Sequence, residues 1–255
     1  MKEALSVTRL PERCLNWLAS SRLKFINELR GGRPLRYFSA HLPVMVTWPE
    51  DDTESKYPVN MTVKGIGLIP KSGQLEHFID LFESVAANTR SRPHFETINE
   101  RIEAVEALYG NPGNFDPSFL GGLEIFSGKA LKNIKNNGHT SLLYVGMEET
   151  QVQPAQQMHK IEQPHSAEHH KSVQQPHMGM HGAISYISFQ VNGAIEILEQ
   201  DSVYYRYLLA SRKLFEFDKF HIFQPDYPFG YLIRVEEVHD KSPWSRAMVP
   251  KSGSV

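Results

Sequence analysis

The chain has 255 residues, 40% of them hydrophobic, enough for one large domain or two small ones with a buried core. Its formal charge is only −2, so composition offers no bulk electrostatic case for nucleic acid or an anionic membrane as partner, and any basic site must be local. The single cysteine, Cys14, excludes an internal disulfide and fits a reducing compartment; with no apolar run to serve as signal peptide or membrane span, the expected location is cytoplasmic.

In chain order, Leu10-Pro11-Glu12-Arg13-Cys14-Leu15-Asn16-Trp17-Leu18 predicts a Pro-opened amphipathic helix, with Cys14 buried on it as a small apolar residue. A strand is expected from Leu23 to Leu29, closed by the turn Gly31-Gly32-Arg33-Pro34. Leu42 to Trp48 reads as a second strand, the acidic run Pro49 to Ser55 as a turn, and Val63 to Ile69 as one further strand. Gly65-Ile66-Gly67 is too sparse for a dinucleotide loop.

Two helices follow. Leu75, Phe78, Ile79, Phe82, Val85 and Ala86 recur at three or four in the first, and Phe95, Ile98, Ile102, Val105 and Leu108 do so in the second. Arg90-Ser91-Arg92-Pro93 separates them, and Tyr109-Gly110-Asn111-Pro112-Gly113 is a strong stop.

Gly121 to Gly146 points most directly at a ligand. Leu123-Glu124-Ile125-Phe126 reads as a strand that Ser127-Gly128 breaks. Ala130, Leu131 and Ile134 then mark a short helix with Lys129, Lys132 and Lys135 on its polar side. Asn137-Gly138 ends it, and Thr140 to Val145 forms the next strand. A Ser-Gly turn opening a helix leaves backbone N–H groups pointing outward beside a hydroxyl, and the lysines add positive charge, which suits a phosphate. The plainer alternative is that Ser127 caps the helix and the lysines form a solvated face.

Glu148 to Gly182 is rich in Gln, His, Pro and Met, and is expected to be a disordered loop joining two strands. Six of the twelve histidines lie in it, but their spacing matches no tetrahedral signature and cysteine partners are absent, so no metal site is expected. Beyond it, Ile184 to Leu198 alternates as a strand, Asp201-Ser202 can cap a helix running to Phe215, and Tyr231 to Val238 is a closing strand. No nucleophile elbow, His-Glu-x-x-His pair or Gly-x4-Gly-Lys loop occurs. Glu124, His41, His94, His221 and His239 remain unranked acid–base candidates, and Arg33, Arg36 and Arg234 candidates for an anionic ligand.

The run Ser127-Gly128-Lys129 with Asn133-Ile134 and Leu142-Leu143 resembles the phosphate-gripping segment of the pyridoxamine 5'-phosphate oxidase-like FMN-binding split barrels. Gly128 stands where that family often has Arg. Gln190 and Gly193 in the strand Ile184 to Leu198 are similar to the family strand whose Gln approaches the flavin, and the late Asp240 to Trp244 tail is similar too.

The resemblance, in order over roughly 8–48 and 119–245, implies a mainly β fold with helices (α+β). It would be one split β-barrel domain over 1–255, with a two-helix insertion at 71–113 and the long His/Gln-rich loop at 148–182. It implies an FMN-dependent oxidoreductase acting on a small-molecule substrate, built as a homodimer that completes the flavin site from two subunits. Ser127, Lys129 and Lys132 would then hold the phosphate, and Gln190 and Trp244 the ring. Deazaflavin in place of FMN is a variant of this reading. A haem- or tetrapyrrole-binding protein on the same barrel is its alternative. Vitamin B6 oxidation itself is disfavoured, because the late segment Trp244 to Pro250 lacks the basic substrate grip of the family's dedicated oxidases.

Overall fold

A computed structural model of the chain describes residues 9–31, 40–50, 56–125, 127–150, 183–215 and 227–243. Helix α1 spans Glu12–Arg30 just after Pro11, whose missing N–H costs nothing at a helix start. It buries Cys14, Trp17, Leu18 and Ile26. The strand expected over Leu23–Leu29 is therefore overturned. Leu18 and Ile26 lie on one helical stripe, and no breaker intervenes before Gly31, so helical propagation continues where residue-type preference alone suggested a strand. The rest of the expected turn, 32–34, lies outside the described residues.

Seven strands form one antiparallel sheet: β1 (Val44–Thr47), β2 (Asn60–Val63), β3 (Ile66–Pro70), β4 (Phe115–Glu124), β5 (His139–Thr150), β6 (Ala183–Leu198) and β7 (Phe229–Asp240). Their order is β2-β1-β5-β6-β7-β4-β3. The single strand expected over Val63–Ile69 is thus two strands, on opposite edges of the sheet and joined only by Lys64 and Gly65. Two residues cannot span an open sheet of this width, so the sheet curls until its edges meet. At the join, the Lys64 N–H donates to the Pro43 carbonyl at 3.2 Å and the Ile66 N–H to the His41 carbonyl at 3.0 Å. The chain hands over there from pairing with β1 to pairing with β4. The architecture is α+β and consistent with a split-barrel-like fold, as the sequence implied.

Helices α2 (Ser72–Thr89), α3 (His94–Tyr109) and α5 (Val203–Lys213) pack with α1 around the β3–β4 side. Phe82, Ile79, Ile102 and Leu108 are fully buried among them, each worth roughly 1.5–3 kcal/mol by burial. Arg101 ties three helices together: its buried guanidinium donates to the Leu214 carbonyl at 2.7 Å and the Thr89 carbonyl at 3.4 Å. Helix α4 (Lys129–Asn137) links β4 to β5 and ends at Gly138, whose φ of 70° is the left-handed stop expected of Asn137-Gly138. Of the expected disordered loop, residues 148–150 belong to β5 and 151–182 lie outside the described residues. No described helix is long and apolar enough to cross a membrane.

Candidate functional site

The strand before α4 ends at Glu124, earlier than expected, and Phe126 lies outside the described residues. Ser127, Gly128 and Lys129 are exposed. Gly128 occupies the position before the helix in extended backbone, and no side chain caps the first turn. Ser127 therefore does not act as the cap, and the first-turn N–H groups stay available. Lys132 is exposed one turn on, while Ala130, Leu131 and Ile134 are buried. Asn133, which the resemblance sets in the phosphate segment, is 3% exposed and donates to the Thr47 hydroxyl at 3.3 Å. With Asn137, which donates to the Trp48 carbonyl at 3.2 Å, it anchors α4 instead of facing a ligand.

Gln190 lies on the outer face of the sheet, opposite Leu143 of β5 and His239 of β7. Its side-chain amide donates to the Ser141 hydroxyl at 3.2 Å and to Asn192 Oδ1 at 3.0 Å. Asn192 in turn donates to Glu237 Oε2 at 2.7 Å, and His239 Nε2 lies 3.0 Å from the same oxygen. The Asn192 and His239 hydrogen bonds hold the Glu237 carboxyl below its ordinary range. Beside this polar row the outer face is apolar: Val145, Met147 and Tyr186 are 56%, 58% and 62% exposed, and Met61 and Val63 of β2 are exposed too. The strand register puts Val63, Val44, Leu143 and Gln190 in one row across four strands.

The structure gathers Ser127, Lys129 and Lys132 at α4 and sets Gln190 apart on the sheet, with no hydrogen bond joining the two groups among the described residues. Trp244 lies outside the described residues.

No family model matches the chain, and no curated protein matches its sequence. Among solved structures, it is similar to a provisionally named pyridoxamine 5'-phosphate oxidase from Lactobacillus delbrueckii, at 14% identity over 92% of this chain and 97% of that one, with a TM-score of 0.36. It is also similar to tagged HupZ from Group A Streptococcus, at 11% identity over 80% of this chain and 86% of that one, with a TM-score of 0.34. A likeness at this level assigns no function.

A third feature has no counterpart in the motifs. An open cavity of about 440 Å³ lies between α1, the β2–β3 join, β4 and α5, with Arg22, His41, Lys64 and Arg212 in its wall. Behind Lys64, the fully buried Glu124 carboxylate pairs with its ammonium at 2.5 Å and accepts a hydrogen bond from the Tyr231 hydroxyl. Burial and the Glu124 contact hold the Tyr231 phenol well above its ordinary value. Glu124 is thus committed to a buried pair and is poorly placed as a general base.

Burial, and then the charges of Arg22 and Arg212, hold His41 well below the usual histidine value, so its imidazole is neutral. His239 belongs to the Glu237 pair, and His221, Arg33 and Arg36 lie outside the described residues. Arg234 is exposed and pairs with Glu236 at 3.0 Å. Cys14 is fully buried with its thiol pushed up to about 12 by burial and Asp240, which leaves it inert.

Proposed function

We propose that the chain is an FMN-dependent oxidoreductase that works on a small molecule as a homodimer. The observation that carries this reading is the start of α4, where an uncapped helical turn is flanked by the exposed Ser127, Lys129 and Lys132. Phosphate suits this donor set: the first-turn N–H groups and the helix dipole favour an anion, and the two ammonium groups supply charge-assisted hydrogen bonds. On the outer sheet face, the Gln190 amide N–H groups are already committed, which leaves its carbonyl oxygen as an acceptor for a ring edge. Leu143 and Val145 beside it offer apolar surface to a planar ring.

Within one chain α4 and Gln190 are separate, and a second copy laid on the apolar outer face is what would bring such surfaces together. Bound FMN would supply the electron-transfer chemistry, leaving the protein to orient the substrate and exclude water. The test is to purify the chain without added ligand, release any cofactor and identify it by absorbance and mass. FMN supports the reading, whereas deazaflavin or haem in its place would replace it with the corresponding alternative. A colourless protein that binds none of the three on titration sinks it.

A further inference from the structure

We propose that Glu237, acting through Asn192, fixes the Gln190 side chain as a hydrogen-bond acceptor, so that the ring edge it takes is the one carrying the flavin N3–H. The inference rests on the flavin reading above. It adds the residue that sets the polarity of Gln190 and, from that polarity, the edge of the ring that Gln190 selects.

One end of the polar row cannot be turned round. An ionised carboxylate only accepts hydrogen bonds, and the contacts from Asn192 and His239 keep the Glu237 carboxyl below its ordinary range, hence ionised at neutral pH. Asn192 must therefore present its NH2 group to Glu237 Oε2, which lies 2.7 Å away. Its amide oxygen then faces the other way, where it accepts from the Ser141 hydroxyl at 2.8 Å and from Gln190 Nε2 at 3.0 Å. Turning the Gln190 amide over would set two carbonyl oxygens against each other at that distance, so its NH2 group stays inward, 3.2 Å from the Ser141 hydroxyl. Gln190 Oε1 is the atom left to meet a ligand.

The backbone holds this row in place. Asn192 pairs with Ser141 of β5 on one side and with Glu237 of β7 on the other, and all four side chains are half-buried, so the row stands on three paired strands of the sheet. Ring chemistry then decides the edge. Oxidised FMN has one ring N–H, at N3, whereas N1, N5 and both ring carbonyls are acceptors. A fixed acceptor attracts the first and repels the others, which makes Glu237 and Asn192 positioning residues for the flavin.

The test reverses the end of the row. In Glu237→Lys an ammonium, which only donates, replaces the carboxylate, so Asn192 turns its oxygen towards it and Gln190 must turn in response and present N–H outward; Glu237→Gln keeps a carbonyl acceptor. The probes are FMN and FMN methylated at ring N3. By fluorescence titration the parent should bind FMN about tenfold more tightly than the methylated flavin, as expected of one hydrogen bond beside an unsatisfied carbonyl. Glu237→Gln should keep most of that preference and Glu237→Lys should lose it, with FMN itself bound more weakly and the melting temperature close to the parent's. A preference that survives in Glu237→Lys overturns the proposal, as does its equal loss in both variants. A second readout needs no ligand: in isotope-labelled protein the Gln190 side-chain NH2 should exchange with water roughly fivefold more slowly in the parent than in Glu237→Lys. Failure of both flavins to bind the parent sinks the flavin reading itself, and equal exchange in parent and variant overturns the role of Glu237 whether or not FMN binds.

Discussion

Lys129 opens α4 with its side chain in solvent and no acidic residue in that first turn. Lys129→Glu places a negative charge where the phosphate of FMN is proposed to sit, at a position that packs against nothing. The variant should melt like the parent but come off a desalting column without flavin, and unchanged flavin retention would put the phosphate elsewhere. His41 acts on stability instead. Its folded pKa lies well below 6.5, through burial first and then Arg22 and Arg212, while the unfolded chain titrates near 6.5. Below that value the unfolded state takes up a proton that the folded state refuses, so this contribution is complete above about pH 6.5 and is lost as pH falls. The urea midpoint should drop between pH 7.5 and 5 more steeply in the parent than in His41→Gln, and parallel profiles would refute the assignment. Both residues could be read in the sequence, but unequally. Ser127, Lys129 and Lys132 share one helix start and are legible from local spacing. Arg22, His41 and Arg212 come from three distant segments that meet only because the sheet curls, so no window of sequence displays the cavity.

At the scale of elements, β6 is the most constrained. Its pairing with β7 shifts register between Asn192 and Gly193, and a Cβ built on Gly193 would lie 2.4 Å from the Arg234 carbonyl oxygen. Gly193 therefore sits at a contact between backbones that only glycine permits. Gly193→Ala must push β7 away, and by analogy with other overpacking changes it should cost about 1–3 kcal/mol, read as a lower urea midpoint at an unchanged slope. A midpoint equal to the parent's would mean that the two strands part easily here. Most elements were legible because their periodicity is strong: α2, α3 and α5 bury most of the apolar stripes that mark them, although Phe95 at the start of α3 is 77% exposed, and β5 and β6 were both expected. Two of the misses share one cause. Leu23–Leu29 and Val63–Ile69 are short apolar runs whose residue types fit a strand, and only long-range facts decide their fate: α1 continuing onto α3, and Lys64-Gly65 crossing between sheet edges.

For the molecule as a whole, the outer sheet face is the surface left to explain. Strand β5 is apolar on both sides, with Leu142 and Tyr144 buried inward and Leu143, Val145 and Met147 turned outward. A sheet covered on one face only should alternate apolar with polar. The outward alternation in the sequence was the available sign, masked because a continuous apolar run also describes a fully buried strand. Tyr186 extends the patch onto β6, and Met61 and Val63 extend it onto β2, so the exposed apolar residues are contiguous across the sheet. Patches of this kind mark partner surfaces, and an antiparallel face can meet its own copy about a twofold axis. The chain should therefore run as a dimer in light scattering. Val145→Lys with Tyr186→Lys should give a monomer, since each cation would have to be buried unpaired in the interface. Because the flavin site is proposed to need both subunits, the same double variant should also lose FMN although both positions lie on β5 and β6, away from α4. A parent protein that is monomeric at micromolar concentration would remove the homodimer, and a monomeric variant that keeps its flavin would show that one chain alone holds the cofactor.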